Sequence, residues 1–153
     1  MISIPIKNQN QFMNSLLVSN SFDSFLLKEA CILTSNLFTI DGTEHKDFYT
    51  KEENEQKISP YDYVTWAKIR PTILNLIKGH NTPLSLKLVL YAIPELADNI
   101  LGEYSSLVDY LTLSIRFDDS GMSITTGVAY NTFTFEKSAD KLWDQYISRE
   151  FEG

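Results

Sequence analysis

The sequence predicts an α+β fold in one globular domain over residues 1–153: a largely antiparallel sheet of about five or six strands, with three to four helices packed mainly on one face. Three observations carry that expectation. Leu111, Leu113, Ile115 and Phe117 alternate with polar residues up to Asp118-Asp119-Ser120-Gly121, and the chain returns through Met122, Ile124, Val128 and Tyr130, which is the pattern of a β-hairpin. Leu84, Leu86, Leu88 and Leu90 alternate with Ser85, Lys87, Val89 and Tyr91, the period of a strand with one face on a core. Strands and helical stripes do not follow each other in the strict alternation of a doubly wound sheet, so antiparallel pairing is favoured.

In chain order, an opening strand leads to Asn8, placed to cap a helix whose apolar positions are Phe12, Met13, Leu16 and Leu17. Residues 25–40 favour extended structure, as one bent strand or two, and end at the turn dipeptide Asp41-Gly42. An acid-rich stretch with Glu52, Glu53 and Glu55 reads as a solvated loop or short helix. Ser59 as N-cap, Pro60 at the first helical position and Asp62 at the third mark a helix start. Pro71 removes a donor within that helix and disfavours helical angles at Arg70, predicting a kink or a break. Lys78 and Gly79 close it. Pro94 then opens a helix with Leu96, Ala97, Ile100 and Leu101 on one side and Gly102 at its end. After the hairpin, Phe133 and Phe135 continue in extended form. Ser138 and Asp140 open a last helix carrying Ala139, Leu142, Trp143, Tyr146, Ile147 and Phe151 as its core stripe.

The composition bounds the function. A 153-residue chain with 43% hydrophobic and 22% charged residues folds without a metal or a disulfide, and buries roughly 70% of the surface of its extended form. Its net charge of −7 repels phosphate backbones and anionic lipid, so neither nucleic acid nor a membrane is an expected partner. Cys31 is the only cysteine and sits in an apolar run, as a buried thiol does. The first residues lack the basic flank and apolar core of a secretory signal. No apolar run approaches the roughly 20 residues of a membrane span, so a cytosolic protein is expected.

Against this acidic background, residues 59–87 carry Lys68, Arg70, Lys78 and Lys87 with the single acid Asp62. Trp66, Arg70 and Lys87 are the candidate ligand-binding residues: a broken helix would aim Arg70 at an anion beside the Trp66 ring, with Lys87 on the following strand. The simpler reading of Arg70 is an ion pair with a surface acid. His80 lacks an adjacent nucleophile or orienting acid. His45 and His80 lie in different loops without metal-ligand spacing, so no metal and no cofactor is expected. There is no nucleophile elbow, phosphate loop or dinucleotide fingerprint, and Gly127 within the hairpin suits a bulge or a close backbone approach. If the strand through Leu84 and the hairpin share a sheet, Ser85, Lys87 and Tyr91 lie on the face of Thr112, Ser114, Arg116 and Thr125. That is a polar, cation-bearing surface or simply the wet side of a sheet.

Phe38-Thr39-Ile40-Asp41-Gly42, the helix with Trp66, Arg70 and Pro71, the stretch Lys78-Gly79, Thr82-Pro83-Leu84 and Lys87, and Thr125-Thr126-Gly127 give the chain a family likeness. It resembles, over nearly its whole length, a bacterial family catalogued as a domain of unknown function. The resemblance implies a small bacterial cytosolic protein and supplies no activity or catalytic residue. With no complete catalytic set, the leading expectation is a non-catalytic binding or accessory domain for a protein partner or a small anion. The alternative is a small enzyme with Arg70, His80 and Lys87 in one pocket at the helix-to-strand junction.

Overall fold

A computed structural model describes residues 1–52, 59–79 and 81–151. Strands β1 (Ser3–Pro5), β2 (Phe25–Leu33), β3 (Leu37–Asp41), β4 (Val64–Thr65), β5 (Ser85–Ala92), β6 (Val108–Asp118) and β7 (Gly121–Tyr130) form one sheet in the order β1-β7-β6-β5-β2-β3, with β4 beside β2. Every pairing is antiparallel. Helices α1 (Gln9–Leu17), α2 (Trp66–Ile77), α3 (Pro94–Leu101) and α4 (Ser138–Phe151) complete the α+β fold. Residues 25–40 are thus two strands joined in a hairpin.

One face of the sheet makes the core. Ala30 and Ile32 of β2, Leu86, Leu88 and Leu90 of β5, Leu111, Leu113 and Ile115 of β6 and Met122 and Ile124 of β7 pack with Phe12, Leu16 and Leu17 of α1, Trp66 and Ile73 of α2, Leu101 of α3, and Trp143 and Ile147 of α4. Each such aliphatic side chain contributes roughly 1.5–3 kcal/mol by leaving water, which is why the strict alternation of β5 to β7 fixes which face the helices cover. Asn8 caps α1, its side chain accepting from the Gln11 amide at 3.0 Å. Pro94 stands at the first turn of α3, and Gly102, at φ 56°, ends it.

Four local expectations change. The helix starts at Trp66, not Ser59. Val64 instead donates to the Gly42 carbonyl and Glu44 to that of Asp62, both at 2.8 Å, so pairing at the sheet edge takes the backbone groups that Ser59 and Pro60 would have committed to a helix. Helix α2 also runs unbroken through Pro71, which costs it only the bond to the Ala67 carbonyl, while Trp66 and Ile73 anchor both sides of that gap in the core. Asp41-Gly42 ends β3 without turning it into a hairpin: Asp41 accepts from the Thr43 amide and hydroxyl at 2.9 and 2.6 Å, and Gly42 runs against β2 at its register shift. Phe133 and Phe135 lie in an irregular loop after β7, fully in solvent, and Leu84 is exposed just ahead of β5. Glu53, Glu55 and His80 fall outside the described residues.

Candidate functional site: the open face of the sheet

The residues between the core leucines of β5 and β6 point away from the helices, and the register aligns them in rows. Thr39, Cys31, Lys87, Arg116 and Ser123 form one row across β3, β2, β5, β6 and β7. The next holds Asp41, Glu29, Val89, Ser114, Thr125 and, on β1, Ser3. A third holds Leu26, Tyr91, Thr112 and Gly127. The polar constellation expected from alternation, Lys87 and Tyr91 with Thr112, Ser114, Arg116 and Thr125, is thereby assembled on one face. Cys31 stands on this face, half-buried, and not in the core where its apolar neighbours suggested.

Lys87 and Arg116 are directly opposite each other, the first half-buried and the second exposed. Like charges in that position repel. Among the described residues, neither forms an ion pair; the ion pairs there join Arg70 to Asp23 and the Met1 ammonium to Asp140 and Asp144. Glu29 lies in the adjoining row, diagonal to Lys87, while Asp118 and Asp41 are engaged by their own turns. Asp118 is held below the usual carboxylate range first by the Ser120 hydroxyl and amide, with a smaller contribution from the Arg116 charge. Asp41 is held low first by the Thr43 hydroxyl and then by its amide. A shallow depression of 330 Å³ over β2 and β3, on the same face, is bordered by Glu29, Cys31, Thr39, Thr43 and Tyr63.

Three tyrosines close one end of the face. Tyr91 and Tyr110 stack at 4.2 Å between centroids, and Tyr63 meets both edge-on at 5.2 and 5.8 Å. Burial first, and then the neighbouring Tyr63, Tyr110 and Glu29, pushes the Tyr91 phenol up to about 12. Tyr110 is two residues from Thr112, so the strand period alone placed it on this face. Tyr63 carried no such signal, because the capping residues around it pointed to a helix.

Of the three residues singled out from the sequence, only Lys87 is on this face. Trp66 is fully buried under the helical layer and its indole donates to the Leu16 carbonyl at 2.8 Å. Arg70, on the same helix, donates to the Ser19 carbonyl at 2.8 Å and pairs with Asp23 at 2.7 Å. Trp66 therefore satisfies one of the last carbonyls of α1, which otherwise lack donors, and Arg70 one just past the helix. The sheet stands between Arg70 and Lys87. Among the described residues no three His, Cys, Asp or Glu side chains gather as they would around a metal ion, and no helix is long and apolar enough to cross a membrane.

Among curated proteins and among solved structures, nothing matches the chain. A family model matches residues 15–152, which takes in every row of the open face except Ser3 of β1. The chain belongs to DUF5721, a family of unknown function.

Proposed function

We propose that the chain is a non-catalytic binding domain of the bacterial cytosol whose open sheet face takes an anionic group, carried by a small molecule or by an acidic stretch of a protein partner. The observation behind this reading is the cross-strand pair Lys87 and Arg116, two cations side by side that form no ion pair among the described residues, in a chain of net charge −7. An anion between them would relieve a repulsion that the fold otherwise bears, and Ser114, Ser123 and Thr39 offer hydroxyl donors within the same and the adjoining row. The bacterial and cytosolic parts rest on the family likeness and on a single cysteine with no disulfide partner.

The test is amide chemical-shift mapping of the isotope-labelled chain with inorganic phosphate, citrate and a poly-glutamate peptide in turn. The expected result is a set of shifts centred on Lys87, Arg116 and Ser123 for at least one probe, lost in Arg116→Glu. Shifts scattered over the surface, or unchanged in Arg116→Glu, would sink the reading. The enzyme alternative gains no support from the geometry, since Arg70 and Lys87 lie on opposite sides of the sheet.

A further inference from the structure

The two edges of the sheet are built differently. At the β1 edge, bonds from the Thr126 amide to the Ile2 carbonyl and from the Ile6 amide to that of Met122 bracket the pairing with β7, so the backbone groups that alternation turns outward belong to Ser3 and Pro5. Pro5 has no N–H, and a three-residue strand with a proline offers little to an added one. At the β3 edge, bonds from the Gly42 amide to the Lys28 carbonyl and from the Thr34 amide to that of Asn36, at 2.8 and 2.9 Å, bracket the pairing with β2. Phe38 and Ile40 therefore bond to β2, while Leu37, Thr39 and Asp41 turn their amides and carbonyls outward. Among the described residues no backbone pairs with them on that side.

Strand β3 also lacks the devices that close an edge. It contains no proline and no lysine, and Asp41 at its end is its one charge. Its side chains alternate as an added strand requires: Phe38 and Ile40 are half-buried against the core, while Leu37, 63% exposed, Thr39 and Asp41 stand in solvent on the open face. The 330 Å³ depression beside them holds two carboxylates, Glu29 and Asp41, against the single cation Lys28. Neither carboxylate enters an ion pair among the described residues. Asp41 is committed through one oxygen to Thr43 and keeps its charge.

We infer that the outer edge of β3 accepts an extended, basic segment of a partner protein as one further antiparallel strand of the sheet. Residues of that segment opposite Leu37, Thr39 and Asp41 bond through their backbone and carry their side chains on the open face, so a lysine or arginine there reaches Asp41 and Glu29. The residues between them lie on the core face beside Phe38 and Ile40, where aliphatic side chains leave water. Main-chain bonds supply the attachment, and the alternation of basic and aliphatic side chains supplies the choice of sequence. A second copy of β3 suits the edge less well, because it brings another Asp41 and no cation to these carboxylates.

Amide hydrogen exchange of the full chain with an alternating Val-Lys peptide tests this. In the free chain the Phe38 and Ile40 amides should be protected and those of Leu37 and Thr39 should exchange freely; the peptide should protect the latter two. Lysines on the open face turn their own amides toward β3, so a peptide N-methylated at its lysines should not bind, whereas one N-methylated at its valines should. A Val-Glu peptide should bind more weakly than Val-Lys. Asp41→Asn, which keeps an acceptor for Thr43, should weaken the Val-Lys peptide roughly two- to fivefold, the worth of one exposed ion pair. Leu37 and Thr39 amides that stay unprotected at saturating peptide overturn the proposal, as does equal binding of the two N-methylated peptides. Protection of those amides that grows with the concentration of the chain alone would mean that a second copy takes the edge, and would overturn the assignment to a basic partner.

Discussion

Trp66 and Arg70, one turn apart on α2, both donate to backbone carbonyls at the end of α1, the indole to Leu16 and the guanidinium to Ser19, each at 2.8 Å. The two side chains that stood out in the sequence as an aromatic beside a cation are therefore one clamp between two helices. A cation near a helix C-terminus also meets the negative end of its dipole.

Replacing Arg70 with Ala leaves the Ser19 carbonyl without its donor and is expected to cost about 1–3 kcal/mol. Asp23→Ala removes only a partly exposed ion pair and is expected to cost less than about 1 kcal/mol. Trp66→Phe keeps an aromatic ring but strands the buried Leu16 carbonyl, with a cost in the range of Arg70→Ala. Urea unfolding of the three variants checks the order. An Asp23→Ala chain as weak as Arg70→Ala would show that the ion pair, and not the carbonyl, is what Arg70 serves.

Gly42 admits no other residue. A Cβ added there would lie 1.8 Å from the Leu27 carbonyl oxygen and 2.7 Å from its carbon, at the point where β2 shifts register between Leu27 and Glu29. Strand β2 is paired on both sides and cannot step back. Gly42→Ala is expected to destabilise by the upper part of the roughly 1–3 kcal/mol range of overpacked sites, or more. Gly127→Ala is the control: its Cβ would meet only the Thr112 hydroxyl, at 2.6 Å, which can rotate aside, so the change should stay within about 1 kcal/mol. Equal losses at the two positions would contradict the account.

These cases mark what the sequence could carry. The hairpin of β6 and β7, strand β5, α3 and α4 were legible because each has one periodicity and end signals that agree with it, and the open face followed from alternation alone. Residues 59–65 were not legible: Ser59, Pro60 and Asp62 are good helix-starting residues, but Val64 and Thr65 found strand partners in Leu27 and Leu26, nearly 40 positions back in the chain. Local propensity has no access to such a partner. The same holds for Trp66 and Arg70, whose acceptors at and just past the end of α1 lie about 50 residues away. Lys87 was legible as a surface cation. Arg116 was legible on the same face, but that it stands directly opposite Lys87 is set by the register alone.

Tyrosine ionisation should set the alkaline limit of the fold. Tyr91 and Tyr130 are both pushed up to about 12, each by burial first. In Tyr91 the other two tyrosines and Glu29 add to it; in Tyr130 the Asp140 carboxylate that accepts its hydroxyl proton does so. A phenol with a folded pKa above its unfolded value near 10 favours the folded state below that pH, and loses this contribution as pH rises toward 12. Stability should therefore be flat at neutral pH and fall between about 10 and 12. Spectrophotometric titration of tyrosinate should show at least two phenols fewer ionising in the ordinary range than in the unfolded chain, since Tyr61, Tyr110 and Tyr146 are raised as well. Tyr91→Phe should flatten the alkaline loss, and an unchanged pH profile in that variant would refute the assignment.

The pairing of Lys87 with Arg116 makes a prediction that needs no ligand. Like charges directly opposite on adjacent strands weaken the sheet by roughly 0.2–1 kcal/mol relative to a neutral pair. Lys87→Met keeps most of the half-buried aliphatic stem and deletes the charge, so it should raise the unfolding midpoint in low salt. Added potassium chloride screens exposed charges and should narrow the difference between variant and wild type. Potassium phosphate at equal ionic strength should narrow it further if an anion settles between the two cations, because only the wild type keeps both. A variant less stable than the wild type in low salt would mean that Lys87 is already neutralised within the chain, and the anion-binding reading would lose its basis.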